Sequence, residues 1–265
     1  MIDIEMNIFN GFTFTEGGKR TKLAGIGDEL PAPLISVITV AYNAAEHIID
    51  CIESVKDQPF KNIEHIIIDG ASTDGTLDIL NAHENDITYW RSEKDNGIYD
   101  AMNKAVKYAR GQWLLFLGAD DKLLPGFSEM AVLLTDPDCI YYGDFVFETM
   151  RKAGGEFDAY RFSKACICHQ NIYYPKVVFE KYQYNEKYPI NADYHLNLKL
   201  WADKTIRFEY HPIIIAMFSS AGVSSTKVDE AFEKDKGKNI RKYLGTLVYY
   251  RYLLKEFRKK IKLAK

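Results

Sequence analysis

Between Leu34 and Pro125, four short apolar runs, "LISVITVAYN", "NIEHIIIDG", "ITYWRSE" and "QWLLFLGAD", alternate with segments of helical spacing. A run that is apolar at consecutive positions needs cover on both faces. Strand–helix alternation supplies that cover and predicts a mainly parallel sheet flanked by helices, an α/β fold. The intervening segments are "AAEHIIDCIESVKDQ", with Ile48, Ile49, Ile52 and Val55 in register, then "STDGTLDILNAH" and "GIYDAMNKAVKYA". In the last, Ile98, Met102, Val106 and Ala109 mark the expected buried face. Ligands of such sheets bind at the carboxyl ends of the strands, and Asn43, Asp69, Glu93 and Asp120 all fall near such ends.

The fourth run stops on two adjacent carboxylates, Asp120 and Asp121. Like charges at that distance repel unless a counter-charge joins them, and a hard divalent cation, Mn²⁺ or Mg²⁺, is the simplest one. A second reading leaves Asp120 facing the site and lets Asp121 cap a turn before "KLLPG". In "IIIDGASTDGT", helix capping accounts for Asp74. Asp69, at a strand end beside a helix N-terminus, is placed to accept ligand N–H or O–H groups. Neither GxGxxG nor GxxxxGK[ST] occurs, which argues against the usual dinucleotide and P-loop sites.

The chain has 265 residues, 47% apolar and 27% charged, enough for one domain with appendages. The expected division is an N-terminal extension (1–33), a main domain (34–227, with halves 34–125 and 126–227) and a basic tail (228–265). "MIDIEMNIFNGF" lacks the basic start and apolar stretch of an export signal, so a cytoplasmic protein is expected, with its four cysteines reduced. Cys166, Cys168 and His169 in "CICHQN" lack the second pair that a zinc set needs. The net charge of -3 conceals a polarity: residues 238–265 carry ten Lys/Arg against Glu256, leaving 24 basic and 36 acidic residues before them. Ile240, Tyr243, Leu247, Tyr250, Leu254, Phe257 and Ile261 recur at intervals of three and four, with Arg251, Lys255, Arg258 and Lys262 in a stripe beside them. A basic amphipathic helix of this kind suits the anionic inner face of a membrane, or it docks on the main domain with its charge solvated. Nothing else in the chain supports nucleic acid as a partner.

In order and spacing, "ISVITVAYN", "IIIDGASTDGT", "SEKDNGIYDAMNKAVKYARG" and "WLLFLGADD" resemble glycosyltransferase family 2. The resemblance implies the Rossmann-like GT-A fold and inverting transfer of a sugar from a nucleotide-sugar donor. It implies that Asp69 contacts the nucleotide base, that Ala41, Tyr42 and Asn43 line the nucleotide pocket, and that Asp95 lies near the donor. Asp120 matches the metal-binding member of the DxD motif, while Gly118 stands where family members often have Asp. Asp193, in "NADYHLNLKLW", matches the general base, although an N-cap role also suits it; Glu186 and Asp203 are the other candidates. His169–Gln170 resembles a recurring pair facing acceptor or donor. Tyr99 and Asn103 lie four apart on the face opposite the apolar one, so Asn103 is a donor-side candidate, with solvated polarity as the alternative. "FSSAGVSSTK" (218–227) either closes over the diphosphate with Lys227 or is an ordinary loop. The expected activity is a metal-dependent hexosyl- or N-acetylhexosaminyltransferase using UDP ahead of GDP or dTDP. Its acceptor would be a saccharide, lipid-linked, in cell-surface polysaccharide synthesis. A sugar nucleotidyltransferase and a non-catalytic sugar- or nucleotide-binding protein at the membrane are the competing readings.

Overall fold

The structure, a computed structural model, describes residues 7–9, 12–22, 31–219 and 227–263. It begins with β1 (Asn7–Phe9), β2 (Phe12–Gly17) and the short α1 (Lys19–Lys22). The alternating region follows as β3 (Ile35–Ala41), α2 (Ile48–Lys56), β4 (Ile63–Asp69), α3 (Thr76–Ala82), β5 (Tyr89–Ser92), α4 (Ile98–Val106) and β6 (Trp113–Gly118). Next come β7 (Lys122–Leu123), α5 (Gly126–Ala131), β8 (Cys139–Phe147), β9 (Lys152–Ala153) and α6 (Ala159–Phe162). A 3₁₀ turn (His169–Asn171) leads into β10 (Ile172–Pro175), α7 (Val178–Lys181), α8 (Ala192–Ala202) and β11 (Arg207–Phe218). Two helices, α9 (Glu230–Leu244) and α10 (Thr246–Leu263), end the described chain.

Among the described residues the strands form one sheet, ordered β1-β2-β5-β4-β3-β6-β10-β8-β11-β7, with β9 on β8. β5, β4, β3 and β6 run parallel. From β3 the chain steps out through β4 and β5, then returns to the other side of β3 as β6. The order therefore reverses between β3 and β6, where an open α/β sheet forms its ligand crevice. Consecutive apolar positions are buried as their pattern requires: Ile35, Val37 and Ile38 in β3 and Leu114 to Leu117 in β6 have no exposure.

Three local expectations change. In α4, Ile98 is exposed and Tyr99 is buried beside Ala101, Met102 and Ala105. The helix is turned so that the larger aromatic ring is covered, and the Tyr99 hydroxyl reaches acceptors across the domain. The N-terminal extension does not merely precede the domain: β2 pairs antiparallel with β5, and Arg20 pairs with the buried Glu64 of β4. The tail is two helices rather than one. Gly245, at φ 90°, breaks them, a conformation that costs glycine little. The stripe read from sequence is divided accordingly, with Ile240 fully buried on α9 and Leu247 75% exposed on α10.

His65 on β4 is buried, with Nε2 3.0 Å from Thr39 Oγ1. Burial pushes its pKa down to about 3. The unfolded chain therefore binds a proton that the folded one refuses, and stability rises with pH between these two pKa values. Urea unfolding between pH 6.5 and 4 is expected to show stability lost on acidification at up to about 1.4 kcal/mol per pH unit from this group. His65→Gln should flatten that part of the slope.

Candidate functional site

The ends of β3, β4 and β6 lie side by side, with Ala41 opposite Asp69 and Val40 opposite Gly118. The loops beyond β3 and β4 are stitched together: Asn43 N–H donates to Ser72 Oγ (2.7 Å), and Thr73 N–H donates to Asn43 Oδ1 (2.9 Å). Ala44 and Ala45 N–H donate to Thr76 Oγ1 and Asp74 Oδ2. This holds Asn43 and Ala71 at φ 49° and 61°, the left-handed region, where strain tends to mark functional turns. Asp69 is fully buried and accepts Ser72 N–H (3.0 Å), Ser72 Oγ–H and Ser92 Oγ–H (2.6 Å). Its carboxylate is thus fixed by both neighbouring segments.

Gly70 shows what lies above this floor. A Cβ there would meet Asp95 Oδ2 at 2.6 Å and the Tyr42 ring at 3.2 Å, so Tyr42 and Asp95 close over the backbone of Gly70. Tyr42 is 68% exposed, an aromatic face open at the strand ends. Burial pushes the Asp95 carboxyl up, against the N–H of Gly97, which donates to Oδ1 at 2.8 Å. Asn103 lies elsewhere. Its carboxamide donates to Tyr184 O and Glu186 Oε1 and accepts Tyr184 N–H, so it clamps the 184–186 segment to α4.

After β6 the two carboxylates part company. Asp121 is buried and accepts from Gly118 N–H (3.3 Å), Gln170 Nε2 (3.1 Å) and Ser219 N–H (2.9 Å). It does more than cap a turn, because it joins the ends of β6 and β11 to the 3₁₀ turn. Burial pushes its pKa up to about 6, and the Asp120 charge adds to this. Asp120 is half-buried and has no hydrogen-bond partner among the described residues. Both carboxylates fold back over Gly118, where a Cβ would stand 2.7 Å from Asp121 Oδ2 and 2.9 Å from Asp120 Oδ1. Glycine at this position is what lets them approach.

Asp193 is the second residue of α8, with Asn191 at the cap position. Its Oδ1 accepts the Tyr99 hydroxyl (3.0 Å) and Tyr194 N–H (2.7 Å), and its Oδ2 lies 3.3 Å from His169 Nδ1. Burial disfavours the charged imidazole, yet the Asp193 hydrogen bond and the charges of Asp193, Asp121 and Asp120 raise the His169 pKa overall. His169 is therefore the electrostatic bridge between Asp193 and the two carboxylates after β6. Tyr99 is pushed well up by burial and by Asp193, so it stays a donor. The other base candidates lie apart from this cluster: Glu186 meets Asn103, and Asp203 is held low at the far end of α8 by Lys181 and Tyr182. Of the loop expected over the diphosphate (218–227), residues 220–226 lie outside the described residues.

Sequence reasoning did not assign Tyr99 to Asp193, nor did it single out Asp229. Asp229, 2% exposed, accepts the N–H groups of Ile190 and Asn191 and caps α9 through Phe232 N–H, which fixes the start of α8. The position of Tyr99 in the first turn after the Asp95 loop was the available signal.

Among the described residues no group of three or more His, Cys, Asp and Glu is arranged to hold a metal. The Asp120–Asp121 pair nonetheless fits a hard cation that takes one or two carboxylates and completes its shell with water and substrate phosphates. The open Asp120 is the ligand in that arrangement, and Asp121 stands behind it.

Residues 36–228 match the family described as "Glycosyl transferase family 2". A Mycobacterium bovis protein named "PGL/p-HBAD biosynthesis glycosyltransferase" is 34% identical over 216 residues, covering 77% of this chain and 84% of that protein. Among solved structures, S. aureus TarS 1-349 in complex with UDP superposes with TM-score 0.60 at 18% identity. That match covers 79% of this chain and only 64% of the TarS chain. The mannosyltransferase PcManGT from Pyrobaculum calidifontis, in complex with GDP-Man and Mn²⁺, gives TM-score 0.57 at 16% identity, covering 84% of this chain and 75% of that one. At these identities the structural likeness is one of fold.

Gly118→Ala should be destabilising, because the new methyl group meets Oδ2 of Asp121, which Gly118 N–H and Gln170 hold while Ser219 N–H holds the other oxygen of the same carboxylate. Denaturant unfolding is expected to show a loss of about 1–3 kcal/mol, the usual cost of overpacking.

Proposed function

The chain belongs to glycosyltransferase family 2, and from that premise we propose that it is an inverting transferase moving a hexosyl or N-acetylhexosaminyl group from a UDP-sugar to a saccharide hydroxyl. The observation that carries this reading is one connected cluster. Asp193 is held by Tyr99 and His169, and His169 also feels the charges of Asp121 and the open Asp120, which follow β6 at the reversal point of the sheet. Asp193 takes the acceptor hydroxyl proton as its oxygen attacks the anomeric carbon. The new C–O bond forms on the face opposite the breaking bond to the diphosphate, which inverts the centre. Tyr99 and His169 fix the two oxygens of Asp193 at separate partners, so the carboxylate is oriented before the acceptor arrives.

On the donor side, Tyr42, with Ala41 and Asn43 beside it, offers a ring for the base, and Asp95 offers an acceptor for its N–H groups or the ribose hydroxyls. Asp69, fully buried, holds Ser72 and Ser92 beneath the pocket instead of meeting the base directly. Asn103 serves this side indirectly, by holding the 184–186 segment. Gln170 supports Asp121, and His169 faces the reacting centre. A divalent cation, Mn²⁺ or Mg²⁺, held by Asp120 with Asp121 behind it, would supply positive charge for the departing diphosphate. The Mn²⁺ and GDP-Man of PcManGT, and the UDP of TarS, support this class of donor complex. The acceptor in this reading is a lipid-linked saccharide of a cell-surface glycan, met at the inner face of the membrane. The relative named for PGL/p-HBAD biosynthesis supports a role in glycan assembly.

Calorimetric titration of UDP should give binding with Mn²⁺ that is lost in EDTA and in Asp120→Ala. Titrations indifferent to both changes would sink the donor half of the proposal. Asp193→Asn should keep UDP binding while donor turnover drops by about 10²–10⁴-fold, the span expected for a positioned base. Full turnover in that variant would reassign the base.

A further inference from the structure

The two tail helices divide their work. α9 is docked: Phe232 and Ile240 are fully buried, and the Tyr194 ring of α8 packs against Phe232 at a tilt of 36°, centroids 4.9 Å apart. α10 turns only one side inward, through the half-buried Val248, Tyr249, Tyr252 and Glu256. The Arg251 guanidinium lies 4.2 Å from the Tyr160 ring centroid of α6 and pins the helix there. On the outward side Leu247, Tyr250, Leu254, Phe257 and Ile261 are 75%, 61%, 50%, 61% and 44% exposed. Five large apolar side chains in one stripe exceed the scattered exposure of an ordinary protein surface. At a helical repeat of about 100° per residue, Arg251, Lys255 and Arg258 border the stripe on one edge and Lys260 lies toward the other. The one acid of α10, Glu256, sits on the half-buried side.

At the junction, Lys238, Arg241 and Lys242 of α9 face Thr246 and Tyr249 of α10 across an open cleft of about 610 Å³. None of these three cations forms a salt bridge with a described residue. Cations at one level and an apolar stripe beside them match the layering of an anionic bilayer, phosphates above acyl chains. A second copy of the chain fits poorly, since pairing the stripes would set rows of Arg and Lys against each other with only Glu256 to offset them. Nucleic acid would leave the apolar stripe in water. Among the described residues no helix is long and apolar enough to cross a membrane, so the contact is in-plane.

We propose that α10 lies in the surface of an anionic lipid bilayer, its outward stripe among the acyl chains and a lipid phosphate in the α9–α10 cleft. This deepens the membrane location given above for the acceptor. It is read without donor, acceptor or turnover, so its failure leaves the transferase reading standing.

The test is co-sedimentation of the full chain with vesicles of phosphatidylcholine, alone or mixed with phosphatidylglycerol. Partition into the mixed vesicles is expected to exceed that into the neutral ones by about tenfold or more, and to weaken with salt. Leu254→Glu with Phe257→Glu should cut that partition by about tenfold or more while thermal unfolding stays unchanged, because both side chains are exposed. Arg241→Glu with Lys242→Glu should erase the preference for anionic vesicles. The proposal is overturned if the wild type stays in the supernatant with both vesicles, or if the Leu254/Phe257 variant partitions like the wild type. It is equally overturned if inorganic phosphate binds saturably without any vesicle partition. Sedimentation velocity that shows a dimer abolished by the Leu254/Phe257 variant, with no vesicle binding, would assign the stripe to a second copy instead.

Discussion

A buried carboxylate with three protein donors, Asp121, sets the geometry on which the site depends. Taking a carboxylate out of water costs several kcal/mol unless its oxygens are paired. Its partners here come from the end of β6, the 3₁₀ turn and the residue after β11. Those segments are far apart in sequence and are brought to one point by this requirement. Gly118 follows from the same constraint, since any side chain there would occupy the space that the two carboxylates use.

The electrostatics of the crevice follow from that arrangement. Asp120, Asp121 and Asp193 surround His169, the one ring in the cluster whose positive form they favour. A field of that sign favours a cation in the crevice. The Tyr99 hydroxyl meanwhile ties residues 34–125 to residues 126–227: Tyr99 lies in the first turn of the helix that follows the Asp95 loop, and its hydroxyl ends on Asp193 and Ile190 O. A movement of the Asp95 loop is thus connected through one short helix to Asp193, the proposed base.

The appendages serve the sheet and its surroundings in different ways. β2 extends the parallel strands at the β5 edge, and Arg20 neutralises Glu64, a buried acid that also accepts Ser36 Oγ–H and the N–H groups of Arg110 and Gly111. At the other end, Asp229 joins the start of α8 to the start of α9, so the element that carries Asp193 and the helix that leads to the basic tail share one carboxylate. Gly245 then frees α10 from the line of α9 and turns the apolar positions of the two helices to different neighbours.

Much of this was legible in the sequence. Strand–helix alternation determined the parallel sheet, because runs of consecutive apolar residues fold stably only when both faces are covered. It also placed Asp69 and Asp120 at the ends of their strands. The resemblance to known motifs supplied the roles proposed for Asp193, Asp95 and His169, whereas Gln170, expected to face donor or acceptor, is buried on Asp121. Only the tertiary structure decided that Asp121 is an organising acceptor, that Tyr99 rather than Ile98 turns inward, that Asn103 clamps the 184–186 segment, and that the tail breaks at Gly245. The physical reason is one of range. Periodicity records which side of an element avoids water, a property of neighbours three or four residues apart. Hydrogen bonds such as Tyr99 to Asp193 or Gln170 to Asp121 depend on how elements cross in space, and no local spacing encodes that.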